Sequence, residues 1–321
     1  ITFKLISIKK YNYKLQKEWD DFIRKSTHGT IFHRQKFLSY HISKKFQDSS
    51  LMFYNKNNLI GVLPAAVSVV NKKRTLISHP GASFGGFIIQ KTQFSLYKNI
   101  LLLFHNYCQK NLIEVCHIIP TPFYYIKNPD NLSEYLLNFQ GYQTTETYIS
   151  HVVHLNKPSA INYFNQRKKR YIKNNFINNR DLEFKKISNL ENFYFLLEKN
   201  KKKFNCLPTH SLEEIKKLLY LFPENCQIKG TFYKKKLIGG VFIIITSKKT
   251  GLLFYNAISE EHEALSVGVF QFFQTINFCL NKKLELLDLG VSHLPKNKNP
   301  LTPKISLIEF KEQCGGVGVT R

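Results

Sequence analysis

The strongest constraint in this sequence is an order of elements that occurs twice. Each half reads as a β-meander followed by a helix, a strand and a helix. In the first half, residues 51–55 and 59–70 read as a hairpin turning at Asn57-Asn58, with a further strand over 75–79. A helix over 96–110, a strand over 112–119 and a helix over 131–139 follow. In the second half, strand 148–155 leads into a basic helical region, 158–179, and then helices over 190–204 and 211–221. Three strands (226–233, 237–246, 251–258), helix 264–281, strand 284–289 and helix 305–313 complete it. The helix-to-strand junctions align, Cys108-Gln-Lys-Asn-Leu-Ile-Glu114 against Cys279-Leu-Asn-Lys-Lys-Leu-Glu285. Alternating strands and helices fold as layers. The expectation is an α/β (α+β) chain of two tandem domains, 1–147 and 148–321, each a mixed sheet flanked by helices.

Composition narrows the function classes. With 43% hydrophobic residues in 321, the chain has enough apolar surface for packed cores, which excludes a disordered polycation. No run of about 18 apolar residues occurs. The 47 basic residues against 22 acidic ones give a formal charge of +25. Such a field favours anionic partners: nucleic acid, phosphosugars or CoA. Yet 40 of the basic residues are Lys and 7 are Arg, and Asn, Ile, Phe and Tyr are abundant too. An AT-rich genome enriches all of these, so part of the charge is codon bias. The six cysteines form no C-x-x-C pair and have no neighbouring histidines at zinc spacing. No metal site is expected, and scattered cysteines suit a reducing cytosol.

Several segments resemble the FemAB-like branch of the GNAT acyltransferase superfamily. They are Trp19-Asp-Asp-Phe22, Gly29-Thr-Ile-Phe-His33, Phe37-Leu-Ser-Tyr-His41, Ser78-His-Pro-Gly-Ala-Ser-Phe-Gly-Gly86, Arg167-Lys-Lys-Arg170, Leu287-Asp-Leu-Gly-Val-Ser292 and Phe310-Lys-Glu-Gln-Cys-Gly315. The resemblance spans nearly the whole chain. It implies two GNAT-like domains and an N-acyltransferase in the cytoplasm. The group moved is an acyl or aminoacyl group, taken from acyl-CoA or aminoacyl-tRNA. The acceptor is a small amine, such as a cell-wall or surface-polysaccharide precursor, diphosphate-linked in some family members. The chain departs from tRNA users that carry a long helical hairpin, because residues 190–221 offer two ordinary helices interrupted at Cys206-Leu-Pro208.

Acyl transfer to an amine needs a cradle for carrier phosphates, an oxyanion stabiliser, a proton acceptor and an acceptor channel. The segment before helix 264–281 carries Glu260, Glu261 and Glu263, which would repel a pyrophosphate. Ser83, Gly85 and Gly86 form a glycine loop after a strand, read either as a carrier contact or as a plain turn. Arg167, Arg170 and Tyr171 share a helical face by i, i+3, i+4 spacing. Arg grips phosphate bidentately, so this face is the best substrate-binding candidate, against the alternative of a solvated surface helix. In Fem-type enzymes an Arg and a Tyr four residues later contact the acceptor's diphosphate, and Arg167 and Tyr171 keep that spacing. The resemblance also places Lys311 near the reacting groups. Asp288, at the end of a strand, reads as a proton acceptor or as a turn cap. His79, with His33 and His210, is a candidate base near neutral pH. Tyr255, in mid-strand, faces either core or cleft. Two other functions stay open: a tRNA-dependent aminoacyl ligase of the peptidoglycan-bridge type, and a non-enzymatic RNA-binding protein, which lacks any RRM, KH or zinc-knuckle signature.

Overall fold

The computed structural model describes residues 6–41, 46–91, 93–126, 131–177, 179–203, 205–294 and 302–321, without the side chains of 260, 263 and 264. The chain divides into two compact units, Ile1–Thr145 and Glu146–Arg321. Among the described residues no helix is long and apolar enough to cross a membrane.

Unit 1 runs β1 (Ile6–Lys10), α1 (Gln16–Lys25), α2 (Gln35–Leu38), β2 (Gln47–Asp48), β3 (Leu51–Asn55), β4 (Asn58–Leu63), β5 (Ala66–Val70), β6 (Lys73–Ser78), β7 (Ile88–Ile89), α3 (Phe94–Lys110), β8 (Val115–Ile118) and α4 (Leu132–Phe139). Strands β1-β3-β4-β7 form one sheet and β2-β5-β6-β8 another. The sequence reads residues 59–70 as one strand, but Leu63 and Ala66 belong to different sheets. Pro64 lies at the break, where its missing N–H cannot serve a ladder. The apolar run Leu51-Met-Phe-Tyr54 is buried on both faces. Leu51 and Phe53 join the cluster containing Ile100, Leu101 and Phe104 of α3, while Met52 and Tyr54 join Trp19 and Ile23 of α1. Alternation along a strand thus feeds two layers of helix.

Unit 2 runs β9 (Ile149–His154), α5 (Gln166–Asn175), β10 (Leu182–Lys186), α6 (Leu190–Lys202), α7 (Leu212–Leu221), β11 (Cys226–Tyr233), β12 (Lys236–Ile245), β13 (Thr250–Ile258), α8 (Val267–Asn281), β14 (Leu286–Val291), α9 (Ile305–Gln313) and β15 (Val317–Thr320). One seven-stranded sheet has the order β10-β11-β12-β13-β14-β9-β15. The glycine pair in β12 lets helices close on both faces. A Cβ on Gly239 would lie 2.4 Å from the Gln271 amide of α8, and one on Gly240 would lie 2.6 Å from the Phe193 ring of α6. The helix expected over 264–281 begins at Val267, after a 3-10 segment over Glu260–Leu265 and a left-handed Ser266. The basic helical region resolves into a 3-10 turn, Ala160–Tyr163, and α5.

Both units contain a parallel pair that splits. In unit 1, β6 and β8 pair in parallel from Thr75 with Val115 to Ser78 with Ile118. The chain then leaves through residues 79–87 and returns as β7, which pairs with β4 rather than β8. In unit 2, β13 pairs with β14 only at Thr250–Leu252 against Leu286–Asp288. A bulge between Phe242 and Ile243 on β12 leaves Phe254 as the extra residue of β13, just past the split.

Candidate functional site: a split strand pair in each unit

Helix α5 is a capped, one-sided helix. The Asn165 side chain accepts from the Lys168 N–H at 2.9 Å, and the Asn165 N–H donates to the Gln313 carbonyl at 3.0 Å. That second bond ties the start of α5 to the end of α9. Ile172 is buried in the core, and Tyr171 is half-buried with its ring 5.2 Å from Phe176. Arg167 and Arg170 are exposed, and the Lys168 ammonium lies 5.0 Å over the Phe310 ring. With no acidic residue in the helix, this face can hold a phosphate or diphosphate.

Asp288 and Lys311 lie deeper, in a buried polar knot at the end of β14. Asp288 is fully buried, and its Oδ1 accepts from Ser150 Oγ at 3.1 Å and from the Gly290 N–H at 2.7 Å. Lys311 is 3% exposed. Its ammonium donates to the carbonyls of Gly290 (2.7 Å) and Val291 (3.1 Å) and to Ser292 Oγ (2.8 Å). Three donors meet three acceptors of the chain itself. Burial pushes the Lys311 pKa down to about 8, partly opposed by the Asp288 charge. His151 Nδ1 lies 3.2 Å from Ser292 Oγ, and Nε2 is 4.0 Å from the Glu312 carboxylate. Burial and Lys311 lower the His151 pKa. The motif Leu287–Ser292 signalled Ser292; nothing in the sequence singled out Ser150 or His151.

Tyr255 lies past the split in β13 and is 6% exposed. Its hydroxyl sits 2.8 Å from His210 Nδ1, and both Phe254 and Tyr255 touch the His210 and Phe242 rings. Burial raises the Tyr255 pKa to about 12. This clasp holds the loop between α6 and α7 against the diverging half of β13. Glu261 pairs with Lys236 at 3.0 Å, whereas the side chains of Glu260 and Glu263 lie outside the described residues.

In unit 1 the glycine loop packs on the chain itself. Gly85 donates its N–H to the Ile119 carbonyl at 2.9 Å, and a Cβ there would lie 2.7 Å from the Ser78 carbonyl oxygen. Gly86 has φ +82°, and its Cβ would lie 2.9 Å from Pro120 Cα. Close backbone approach thus accounts for both glycines. Ser83 is half-buried. His79 is 3% exposed and its Nδ1 accepts from the Gly81 N–H at 3.0 Å. Burial and the neighbouring His41 push its pKa down to about 3.

The split of unit 1 opens as a cleft. Phe87 and Ile89, just before and in β7, and Ile118, Pro120 and Thr121, from the end of β8 and the segment after it, line it, together with Tyr97, Phe123, Ile126, His28, Ser133 and Glu134. Among the described residues no Lys or Arg lines it. Sequence reading missed Thr121. Its one signal is position, between Pro120 and Pro122 directly after a strand. Among the described residues no cluster of three His, Cys, Asp or Glu side chains could hold a metal ion.

The fold recurs in solved structures. FemX superposes with a TM-score of 0.74 over 97% of this chain and 94% of its own, at 10% identity. A tandem GNAT protein from the clavulanic acid biosynthesis pathway gives 0.57 over 98% and 96%, at 7% identity. L-PGS from Bacillus licheniformis gives 0.54 over 94% and 88%, at 13% identity. No protein-family model and no curated protein matches the sequence. The chain therefore has the tandem GNAT fold. Within that class its architecture is FemAB-like, two GNAT-like units in one chain.

Proposed function

We propose that this protein is an N-acyltransferase that moves an acyl or aminoacyl group from an activated carrier to an amine. The observation that carries the reading is the open cleft between β7 and β8, in a tandem GNAT fold that matches FemX over 97% of the chain. FemX, the clavulanic acid pathway protein and L-PGS share that fold, and the sequence motifs resemble the same branch. The cleft lining is mostly apolar and holds no described Lys or Arg, which suits the transferred acyl end of a carrier. Anionic parts of a substrate suit the exposed Arg167 and Arg170 with Tyr171 on α5, including a diphosphate on a cell-wall or surface-polysaccharide precursor. The carrier is acyl-CoA or aminoacyl-tRNA. Lys311, Asp288, Tyr255 and His79 then act as positioning residues, since each is buried and bonded within the fold.

The test supplies the purified protein with an amine acceptor, UDP-glucosamine, and either a mixture of acyl-CoAs or charged tRNA. Product mass and release of free CoA thiol or uncharged tRNA are followed. Transfer with one carrier and not the other identifies the donor. Absence of any product with both carriers, across a panel of UDP-linked and free amines, would discard the reading.

A further inference from the structure

Thr121 lines the unit 1 cleft and its hydroxyl contacts a buried histidine. His33 is fully buried, and its Nδ1 accepts the Thr30 backbone N–H at 3.1 Å. A backbone N–H can only donate, so Nδ1 carries no proton and Nε2 carries it. Nε2–H points at the Gly85 carbonyl, 2.8 Å away, and at Thr121 Oγ1, 3.1 Å away. Burial lowers the His33 pKa to about 4, which keeps this single-proton form at neutral pH. Thr121 Oγ1 therefore accepts from His33. Among the described residues its own hydroxyl proton has two distant acceptors, the carbonyls of His28 and Gly85, both at 3.5 Å. The backbone around Thr121 is fixed as well. Pro122 confines Thr121 to extended conformations, the Ile119 N–H donates to Ser78 Oγ at 3.0 Å, and the Ile119 carbonyl accepts from Gly85.

From this geometry we infer that Thr121 is a ligand-binding residue whose hydroxyl, turned by His33, donates a hydrogen bond to a carbonyl oxygen held in the unit 1 cleft. A held donor in a mostly apolar cleft favours an acceptor that carries no full charge. A thioester, ester or amide carbonyl meets that description, whereas a phosphate finds no Lys or Arg among the described lining residues and meets the Glu134 carboxylate. The inference rests on the transferase reading and deepens it. The carbonyl belongs to the acyl end of either carrier, thioester or ester.

Two phosphate-free probes separate those sources: S-acetylpantetheine, and adenosine bearing an alanyl group in amide linkage at its 3′ position. Calorimetry with the wild-type chain identifies which one binds. Thr121→Val, which keeps the shape and loses the hydroxyl, is expected to weaken that probe about tenfold with an unchanged melting temperature. Thr121→Ser should keep the affinity within about twofold. Nitrogen-15 NMR should show His33 protonated at Nε2 and not Nδ1 from pH 5.5 to 8. Equal affinity in Thr121→Val, binding of neither probe, or a proton on His33 Nδ1 would each overturn the inference. If transfer is detected but Thr121→Val binds normally, only the inference falls. If Thr121→Val loses the probe and no transfer is ever seen, only the transferase reading falls.

Discussion

The two units make the same topological move and use it differently. Each splits a parallel strand pair, β6 from β8 in unit 1 and β13 from β14 in unit 2. In unit 1 the strand that leaves the pair is displaced by nine residues of loop, and the gap stays open as a cleft. In unit 2 the bulge at Phe254 is short, and Tyr255 clasps the loop between α6 and α7 over the diverging half of β13. The polar groups follow suit. Thr121 lines the cleft, while Asp288, Lys311, Ser150 and Ser292 are bonded within the fold at the end of β14. The two splits thus differ in what the neighbouring loop packs against.

The largest expected effects come from breaking the knot. Asp288→Ala or Lys311→Met leaves buried polar partners unmatched, and urea unfolding should show a loss of about 3 kcal/mol or more. A stability change of this size with intact unit 1 probe binding would confirm the contrast. Next, Gly85→Ala drives a methyl toward the Ser78 carbonyl. It should cost about 2 kcal/mol and, unlike the knot variants, disturb the cleft as well.

A smaller effect is a slope with pH. The folded pKa of Lys311 is lowered to about 8 against an ordinary 10.5, so between those values the unfolded chain holds the proton that the folded chain has released. Stability contributed by this residue therefore rises with pH from 8 to 10.5, by at most about 1.4 kcal/mol per pH unit. Urea midpoints across that range should show a steeper rise in the wild type than in Lys311→Met. The smallest effect concerns α5. Replacing Arg167 and Arg170 together by Ala should weaken UDP-glucosamine about five- to tenfold, with the loss shrinking in added salt and the melting temperature unchanged.

Much of the fold is legible because burial leaves a periodic trace. The run Leu51-Met-Phe-Tyr54 announces a strand covered on both faces, and Leu15, Trp19, Phe22 and Ile23 announce α1. The break at Pro64 was written in the sequence but outweighed by the long apolar run around it. The edge strands β10 and β15 are harder to see, because Leu182–Lys186 and Val317–Thr320 are short and largely exposed. The site is legible in part. Arg167, Arg170 and Tyr171 follow from helical spacing alone, and the structure places both arginines in solvent. Asp288 could be named as a carboxylate ending an apolar strand, and Lys311 through the family resemblance. That they lie within one knot depends on β9 and α9 meeting at β14, 138 positions apart in the Ser150–Asp288 bond. Thr121 depends on a contact with His33 across 88 positions, which no local pattern encodes.

In the proposed transferase the acyl group enters the cleft of unit 1 and not the split of unit 2. Photolabelling tests it directly, using a pantetheine thioester whose acyl chain carries a diazirine, followed by peptide mapping. The account predicts adducts on residues 87–89 and 118–126, lost when excess unlabelled thioester competes. Competed adducts on residues 253–258 instead would contradict it.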